Sequence, residues 1–455
     1  MKKRSWKFWI TFWVLAVIFL TGWFFFWQWK NKGWEGLNPL TNVLPVSQAT
    51  KTDMQTLTQV ADAMLVRDGR ERVYLALLQN NTELRPGGGY IGSFAIIKIR
   101  DGQVTDFAIH DTNIFDGRIP STIPPPYPMK ETLRIDSWKM RDSNWSPDFP
   151  TDALKAEEMY HLGQGGEQFD GIFGVTTNTL VSILKLTGPI TLDQYQLTLN
   201  PDNVVDTLEY QVEQQWWKDG ESIGDRKQVI RALGDAILAR VKNFSLKEKQ
   251  SLFGTFLADL HQKDIQVYFK DGALQNEIDK AGWSGRVDTA WKDDFVSVVD
   301  ANLSALKTDR LMDRYLDYTV DMTSTNLTAV LAITYKNNGA QKDWRTSDYQ
   351  SFVRVYVPDG SWLSSVDGAV TQPVFGTELG KKYFGALIQV PLGTERTVTF
   401  KYTLPKTMVK EFYDLKFDKQ AGVNGATVSV HLLRAGGVME DKNFTLTQPW
   451  VLSEN

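Results

Sequence analysis

Cysteine is absent from the 455-residue chain. That absence excludes a disulfide framework, a thiolate zinc site, an iron–sulfur cluster and a cysteine nucleophile. Histidine is nearly as scarce, with four residues at 110, 161, 261 and 431 and no two at metal-ligand spacing. Histidine-built metal chemistry is therefore not expected. Basic charge is short as well. The first 34 residues hold six Lys/Arg and no acid, so the remainder carries 44 basic against 54 acidic residues. An acidic body of this kind is the opposite of a nucleic-acid binder, and any anionic ligand would need a local basic pocket. What the chain does have is apolar content, 42% hydrophobic against 23% charged residues, which is enough for a packed core and excludes wholesale disorder.

The long apolar run lies at the start. Residues 8–27 read FWITFWVLAVIFLTGWFFFW, twenty residues without a charge. About 20 residues span ~30 Å of hydrocarbon as a helix. Tryptophans cluster at both ends of the run, as interface-preferring rings do. The run is longer than the apolar core of a signal peptide and ends in Phe and Trp rather than small residues, so it reads as an uncleaved transmembrane helix. Lys2, Lys3, Arg4 and Lys7 precede it and only Lys30 and Lys32 follow. This bias predicts a cytoplasmic tail at 1–7 and an extracytoplasmic body, with the lipid bilayer as one partner.

Residues 28–52 read as a stalk. Apolar residues at helical spacing predict a helix over 53–66, followed by strands at 73–78, 91–99 and 104–109, the last two joined by an Asp101-Gly102 turn. The segment 119–128 holds five prolines and reads as a stiff loop. Helices are expected at 151–162, 177–187, 201–215, 225–242 and 246–261, with strands at 171–175 and 265–269 between them. Asn200-Pro201 and the Ser245/Glu248 pair read as helix starts. This alternation predicts an α/β layered domain over 53–305. After about 310 the pattern becomes one of short alternating strands, as at 397–404 and 428–432, which predicts an all-β sandwich over 310–455.

Four clusters are candidates for chemistry. The run Asn80-Asn81-Thr82-Glu83-Leu84-Arg85-Pro86-Gly87-Gly88-Gly89 follows a strand. Its glycines and Arg85 would suit an anion, although glycines equally serve an ordinary turn. His110-Asp111-Thr112 ends another strand. Asp111 with Asn81 would offer oxygens to a hard cation such as Mg²⁺ if their strands were neighbours, and is otherwise a solvated loop aspartate. Asp142 and Asp148 flank Trp145, an arrangement that would suit a sugar between acid and base, or simply a turn before a helix. Arg226 and Arg231 open a helix, where cations oppose the macrodipole, and would face a phosphate or solvent.

The strings NNTELRPGGGYIGSF, RDSNWSPDFP, FDGIFGVTTNTLVSILKLTGPI and FVRVYVPDGS resemble the bacterial membrane family known as domain of unknown function 4012. More distantly, the order of segments resembles the LytR–CpsA–Psr family, which transfers glycopolymers from polyprenyl-pyrophosphate carriers to the cell wall. That resemblance implies a short N-terminal anchor and a LytR–CpsA–Psr-like α/β domain, here followed by an immunoglobulin-like sandwich. It implies Asp111 and Arg85 as catalytic residues, with Asp111 and Asn81 as Mg²⁺ ligands. Arg85, Arg226 and Arg231 would be the phosphate-binding set. Asn80, Asp142, Asp148 and Trp145 are further candidates. The function so implied is binding of a polyprenyl-(pyro)phosphate-linked glycan at the cell envelope, with transfer to a wall acceptor. The alternative is an envelope glycan-binding or scaffold protein without enzymatic activity.

Overall fold

The computed structural model describes residues 47–218, 220, 222–323, 326–408, 413–434 and 439–453. The apolar run 8–27, the tail before it and most of the stalk lie outside the described residues. Among the described residues no helix is long and apolar enough to cross a membrane.

The first part is built on a mixed five-stranded sheet. Its strands are β1 (Glu71–Asn80), β2 (Tyr90–Arg100), β3 (Gln103–Asp111), β4 (Gly171–Thr176) and β7 (Ile265–Phe269), in the order β3-β2-β1-β4-β7. A small hairpin, β5 (Ile190–Leu192) and β6 (Leu197–Leu199), stands apart. Asp101 and Gly102 both take positive φ, as the tight β2–β3 turn demands. β1 and β4 run parallel, while β1–β2, β2–β3 and β4–β7 are antiparallel.

Among the described residues of this part, and besides two helices of four and five residues at Thr112–Phe115 and Met129–Leu133, the helices are α1 (Gln48–Leu65), α2 (Phe149–Leu162), α3 (Thr177–Thr187), α4 (Val204–Tyr210), α5 (Gln228–Lys242), α6 (Leu246–His261) and α7 (Gly272–Lys280). Alternation along β1 assigns its two faces. Leu75 and Leu77 pack with Phe149, Ala153 and Met159 of α2. Tyr74 packs with Val60 of α1, Leu260 of α6 and Ile278 of α7. Leu75 and Leu77 are fully buried, and each contributes on the order of 2 kcal/mol.

The helix starts follow their capping chemistry. Asp148 caps α2, accepting from the Thr151 amide at 3.2 Å. Ser245 and Glu248 form the expected reciprocal capping box on α6. At 201–215 the structure departs from expectation. Asn200 accepts from the amides of Asp202 and Asn203, which closes a turn, so α4 begins only at Val204 and ends in a π-turn at Gln211–Gln215. An asparagine that bonds its own backbone two residues on competes with the helix it precedes.

The second part is β-rich and begins earlier than 310. Strand β8 (Asp294–Asn302), inside the span expected to be α/β, joins β11 (Tyr349–Pro358), β13 (Val374–Glu378), β14 (Lys381–Val390), β16 (Leu415–Asp418) and β19 (Trp450–Leu452). They form a six-stranded sheet in the order β13-β14-β11-β8-β16-β19. A second six-stranded sheet has the order β12-β15-β10-β9-β17-β18. Its strands are β9 (Met312–Asp321), β10 (Thr328–Asn337), β12 (Trp362–Asp367), β15 (Glu395–Thr403), β17 (Thr427–Leu433) and β18 (Met439–Thr445). Inward residues of both sheets share one core, among them Val353, Val355, Leu331, Ile333 and Phe400.

That core also buries tyrosines whose hydroxyls need partners. Tyr335 donates to Asp300 at 2.8 Å, and Tyr349 to Asp309 at 2.9 Å. Tyr318 donates to Asp294 at 2.6 Å, and Tyr413 also donates to Asp294. Burial pushes the Asp294 carboxyl up to about 6. A carboxyl raised on folding stabilises the fold below its unfolded pKa, and that contribution is lost as pH rises through the folded value. Two units correspond to about 3 kcal/mol. Urea unfolding at pH 4 and pH 7 should therefore show a stability difference that Asp294→Asn reduces. An unchanged difference would contradict this role.

Candidate functional site

The carboxyl ends of β1, β3 and β4 share one edge of the sheet, the usual place for ligands in α/β sheets. Asp111 ends β3, but β3 pairs with β2 rather than with β1. Asp111 stands opposite Ser93, which in turn stands opposite Leu78. Two strand spacings, roughly 9–10 Å, separate its backbone from β1. Asn81 and Asp111 accordingly enter different networks. Asn81 donates to the Gly422 carbonyl at 2.9 Å and to Asn178 at 3.2 Å, and accepts from the Thr177 hydroxyl. Asp111 accepts from Arg226 Nε at 2.7 Å, lies 3.3 Å from Lys227 Nζ and caps the Asn113 amide. Burial opposes its charge, but Arg226 and Lys227 outweigh burial and hold the carboxyl below its usual range. A carboxylate already matched by two cations, with its expected co-ligand engaged elsewhere, does not fit a Mg²⁺ site, which needs oxygens converging at about 2.0–2.1 Å. Among the described residues no group of three or more His, Asp or Glu is arranged to hold a metal ion.

Arg85 is placed where no phosphate reaches it. It is 2% exposed. Its Nε donates to Asp142 at 2.8 Å and its NH2 to Glu83 at 2.9 Å. Its NH1 donates to the carbonyls of Leu84 and Asn302. Burial disfavours the cation, yet Asp142 and Glu83 more than compensate and keep it protonated. The glycines beside it are packing surfaces. A Cβ on Gly87 would stand 2.0 Å from Asp152, and one on Gly422 would stand 1.9 Å from the Gly88 carbonyl. Gly87–Gly92 has Gly-x-Gly-x-x-Gly spacing, but it runs into strand β2, so no helix N-terminus faces a phosphate there.

The other expected residues are structural in the same way. Asp142 is the partner of Arg85, and Asp148 caps α2 and accepts from the Val287 amide. Trp145 is buried beneath Arg354, whose guanidinium lies 5.5 Å from its ring. His110 is a packed ring, stacked on Phe94 at 4.9 Å, and burial lowers its pKa. Arg231 lies on the exposed face of α5. Ser222 stands in a Gly-x-Ser-x-Gly string but donates to Asp225 and follows a helix rather than a strand, so it is no nucleophile elbow.

What the sheet edge does hold is an apolar cavity of about 310 Å³. Leu78, Phe107, Ile109 and Val175 of the sheet form one wall. Leu180 and Ile183 of α3, Leu208 of α4 and Leu233 and Ile237 of α5 form the other. Its volume lies at the lower end of the range for small-ligand pockets. Asn80, Tyr90, Glu209, Glu213, Lys227 and Lys307 supply its polar groups, with Arg226 beside Lys227. Lys227 donates to the Gly92 carbonyl, and burial lowers its pKa to about 8. Burial raises the Glu209 carboxyl, although Thr82 and Asn80 bond to it. Lys227 and Lys307 stand at the cavity with Glu209 and Glu213, and Arg226 and Asp111 pair just outside its lining.

Arg226 and Asn80 were legible as candidates. Lys227 adjoins Arg226 in sequence and was the available signal for this cationic group. Glu209, Tyr90 and Lys307 carry no local signal, because the packing of α4, the pairing of β2 with β1 and the approach of the second part bring them to the cavity.

Residues 69–212 match the family described as "Protein of unknown function (DUF4012)". No curated protein matches the chain. Among solved structures, Lin1025 from Listeria innocua is 14% identical, with a TM-score of 0.27 over 48% of this chain and 79% of that one. The protein gbs0355 from Streptococcus agalactiae is 10% identical, with a TM-score of 0.28 over 48% of this chain and 75% of that one. Legionella pneumophila aminopeptidase A is 13% identical, with a TM-score of 0.17 over 29% of this chain and 17% of that one. Scores this low carry no fold assignment.

Arg85→Ala should act on stability. It leaves Glu83 and Asp142 buried without their cation, which costs about 3–5 kcal/mol. Denaturant unfolding should show that loss. A variant of unchanged stability would restore Arg85 as a candidate ligand-binding residue.

Proposed function

We propose that the chain is a membrane-anchored cell-envelope protein that binds a polyprenyl-phosphate or pyrophosphate glycan. Residues 8–27 serve as the anchor, with the N-terminus cytoplasmic and the body extracytoplasmic. The observation that supports this most is the apolar cavity lined by Lys227 and Lys307 among its polar groups, with Arg226 next to Lys227 and paired with Asp111. An apolar chain buried there gains about 25 cal/mol per Å² of surface removed from water. The phosphate meets the ammonium groups of Lys227 and Lys307 in a poorly hydrated setting, where charge–charge attraction is stronger than in bulk water. This reading extends the LytR–CpsA–Psr resemblance of the α/β part and takes the β-rich part as an immunoglobulin-like sandwich appended to it.

Carrier binding is favoured over glycan transfer. Transfer with Mg²⁺ would need Asp111 and Asn81 to converge on one ion and Arg85 to face the phosphate, and none of these side chains is so placed. A binding or scaffold role therefore takes precedence over phosphotransferase-like chemistry.

Native mass spectrometry of the detergent-solubilised full-length chain with a polyprenyl phosphate tests the reading. Retention is expected with and without Mg²⁺. Arg226→Gln should weaken it by about tenfold, or ~1.4 kcal/mol. Ile183→Trp, which fills the cavity, should abolish it. Retention unaffected by either variant would overturn the assignment, and a strict Mg²⁺ requirement would favour the transferase alternative. Affinity for the phosphate should also fall between pH 7 and pH 9, because Lys227 loses its charge as pH rises through about 8. The uncharged polyprenol should show no such dependence.

A further inference from the structure

A second cavity lies where the two parts meet. It has a volume of about 640 Å³ and is lined mainly by polar residues from the β1–β2 loop, α3 and the segments 309–315 and 422–427. Thr177 and Val205 line both this cleft and the apolar cavity, so the two are neighbours. Three carboxamides run across it. Asn81 Nδ2 donates to Asn178 at 3.2 Å, and Asn178 Nδ2 donates to Asn424 at 2.7 Å. Asn424, exposed and lining the cleft, ends the relay. Arg310 makes one side-chain hydrogen bond, from NH2 to Thr346, and its Nε has no partner. Tyr315, 41% exposed, presents an aromatic ring at the same wall.

We propose that this cleft binds an uncharged, hydroxyl-rich saccharide. Asn81 and Asn178 spend both amide hydrogens within the protein, on Gly422 and Asn178 and on Asp264 and Asn424, and so hold Asn424 in place. Asn424 can both donate and accept, as vicinal hydroxyls require, and the exposed Tyr315 ring offers a face for sugar C–H groups. Asp309 is matched by Arg314 and Asp206 by Arg345, and Asp313, among the described residues, accepts only from the Asn338 side-chain amide, so the cleft is no general anion trap. A peptide added as a strand is disfavoured, because β9, which carries Tyr315, is paired on both sides by β10 and β17. The proposal stands without the lipid-carrier reading. If both hold, the glycan of the carrier would occupy the cleft while its chain occupies the cavity.

The test uses the full chain and two free neutral tetrasaccharides, cellotetraose and chitotetraose, followed by saturation-transfer NMR and calorimetry. At least one should bind. Tyr315→Ala and Asn424→Ala, both at exposed positions, should each weaken binding by about tenfold or more. Ile183→Trp in the apolar cavity should leave it unchanged. Absence of binding by both sugars overturns the proposal, as does binding indifferent to both cleft variants. Loss on Ile183→Trp alone would overturn it as well, because the sugar would then sit in the apolar cavity.

Discussion

The buried Arg85 joins the two parts of this chain: its ion pairs lie within the first part, and its hydrogen bonds reach the second. The guanidinium is buried between Glu83 and Asp142 and donates to the carbonyl of Asn302, in the first strand of the β-rich part. Gln420 returns the contact by donating to the Arg85 carbonyl, and Asp309 accepts from the Leu84 amide. Asp309 is in turn paired with the buried Arg314, which also holds Asp300. A chain of buried charges therefore runs from the β1–β2 loop into the core of the second part. Such a chain survives only when every member is satisfied, so it fixes one arrangement of the parts rather than a range of them.

Both cavities depend on that arrangement. The β1–β2 loop is clamped at Arg85, and this sets Asn80 at the edge of the apolar cavity and Asn81 at the edge of the polar cleft. Lys307 of the second part then reaches the apolar cavity, and Arg345 pairs with Asp206 in the first turn of α4. The close approach of Gly422 to the Gly88 carbonyl belongs to the same contact, since a Cβ on Gly422 would stand 1.9 Å from that oxygen. A glycine run that suggests a ligand cradle here serves the approach of one backbone to another.

The two cavities differ in polarity, and the proposed binding roles rest on that difference. One is walled by Leu, Ile, Val and Phe side chains, the other by carboxamides, hydroxyls and matched ion pairs. They meet at Thr177 and Val205, just after the carboxyl end of β4. An amphiphilic ligand is the kind of molecule such a pair suits, and a carrier lipid bearing a glycan is one such amphiphile.

Much of the fold was legible along the chain, because its signals are local. The Asp101-Gly102 turn, the capping box at Ser245, helix 177–187 and the strands at 171–176 and 265–269 depend on residues within a few positions of one another. Strand β8 was missed because its sheet partners come from residues 349–358 and 415–418, with no hairpin to announce it. The candidate site was legible only in part. Arg226 and Asp111 were visible as charges, but not as each other's partner across 115 residues. Arg85 showed as an arginine beside glycines, and only Asp142 and Asn302, brought in by the tertiary structure, turn it from a ligand donor into a structural cation. The sequence by itself determined which segments are strands and helices and which faces they bury, since periodicity and capping are properties of neighbours. The tertiary structure decided which strand lies beside which, and therefore which charges neutralise each other and which remain for a ligand, since that depends on distances of a few ångströms between residues far apart in the chain.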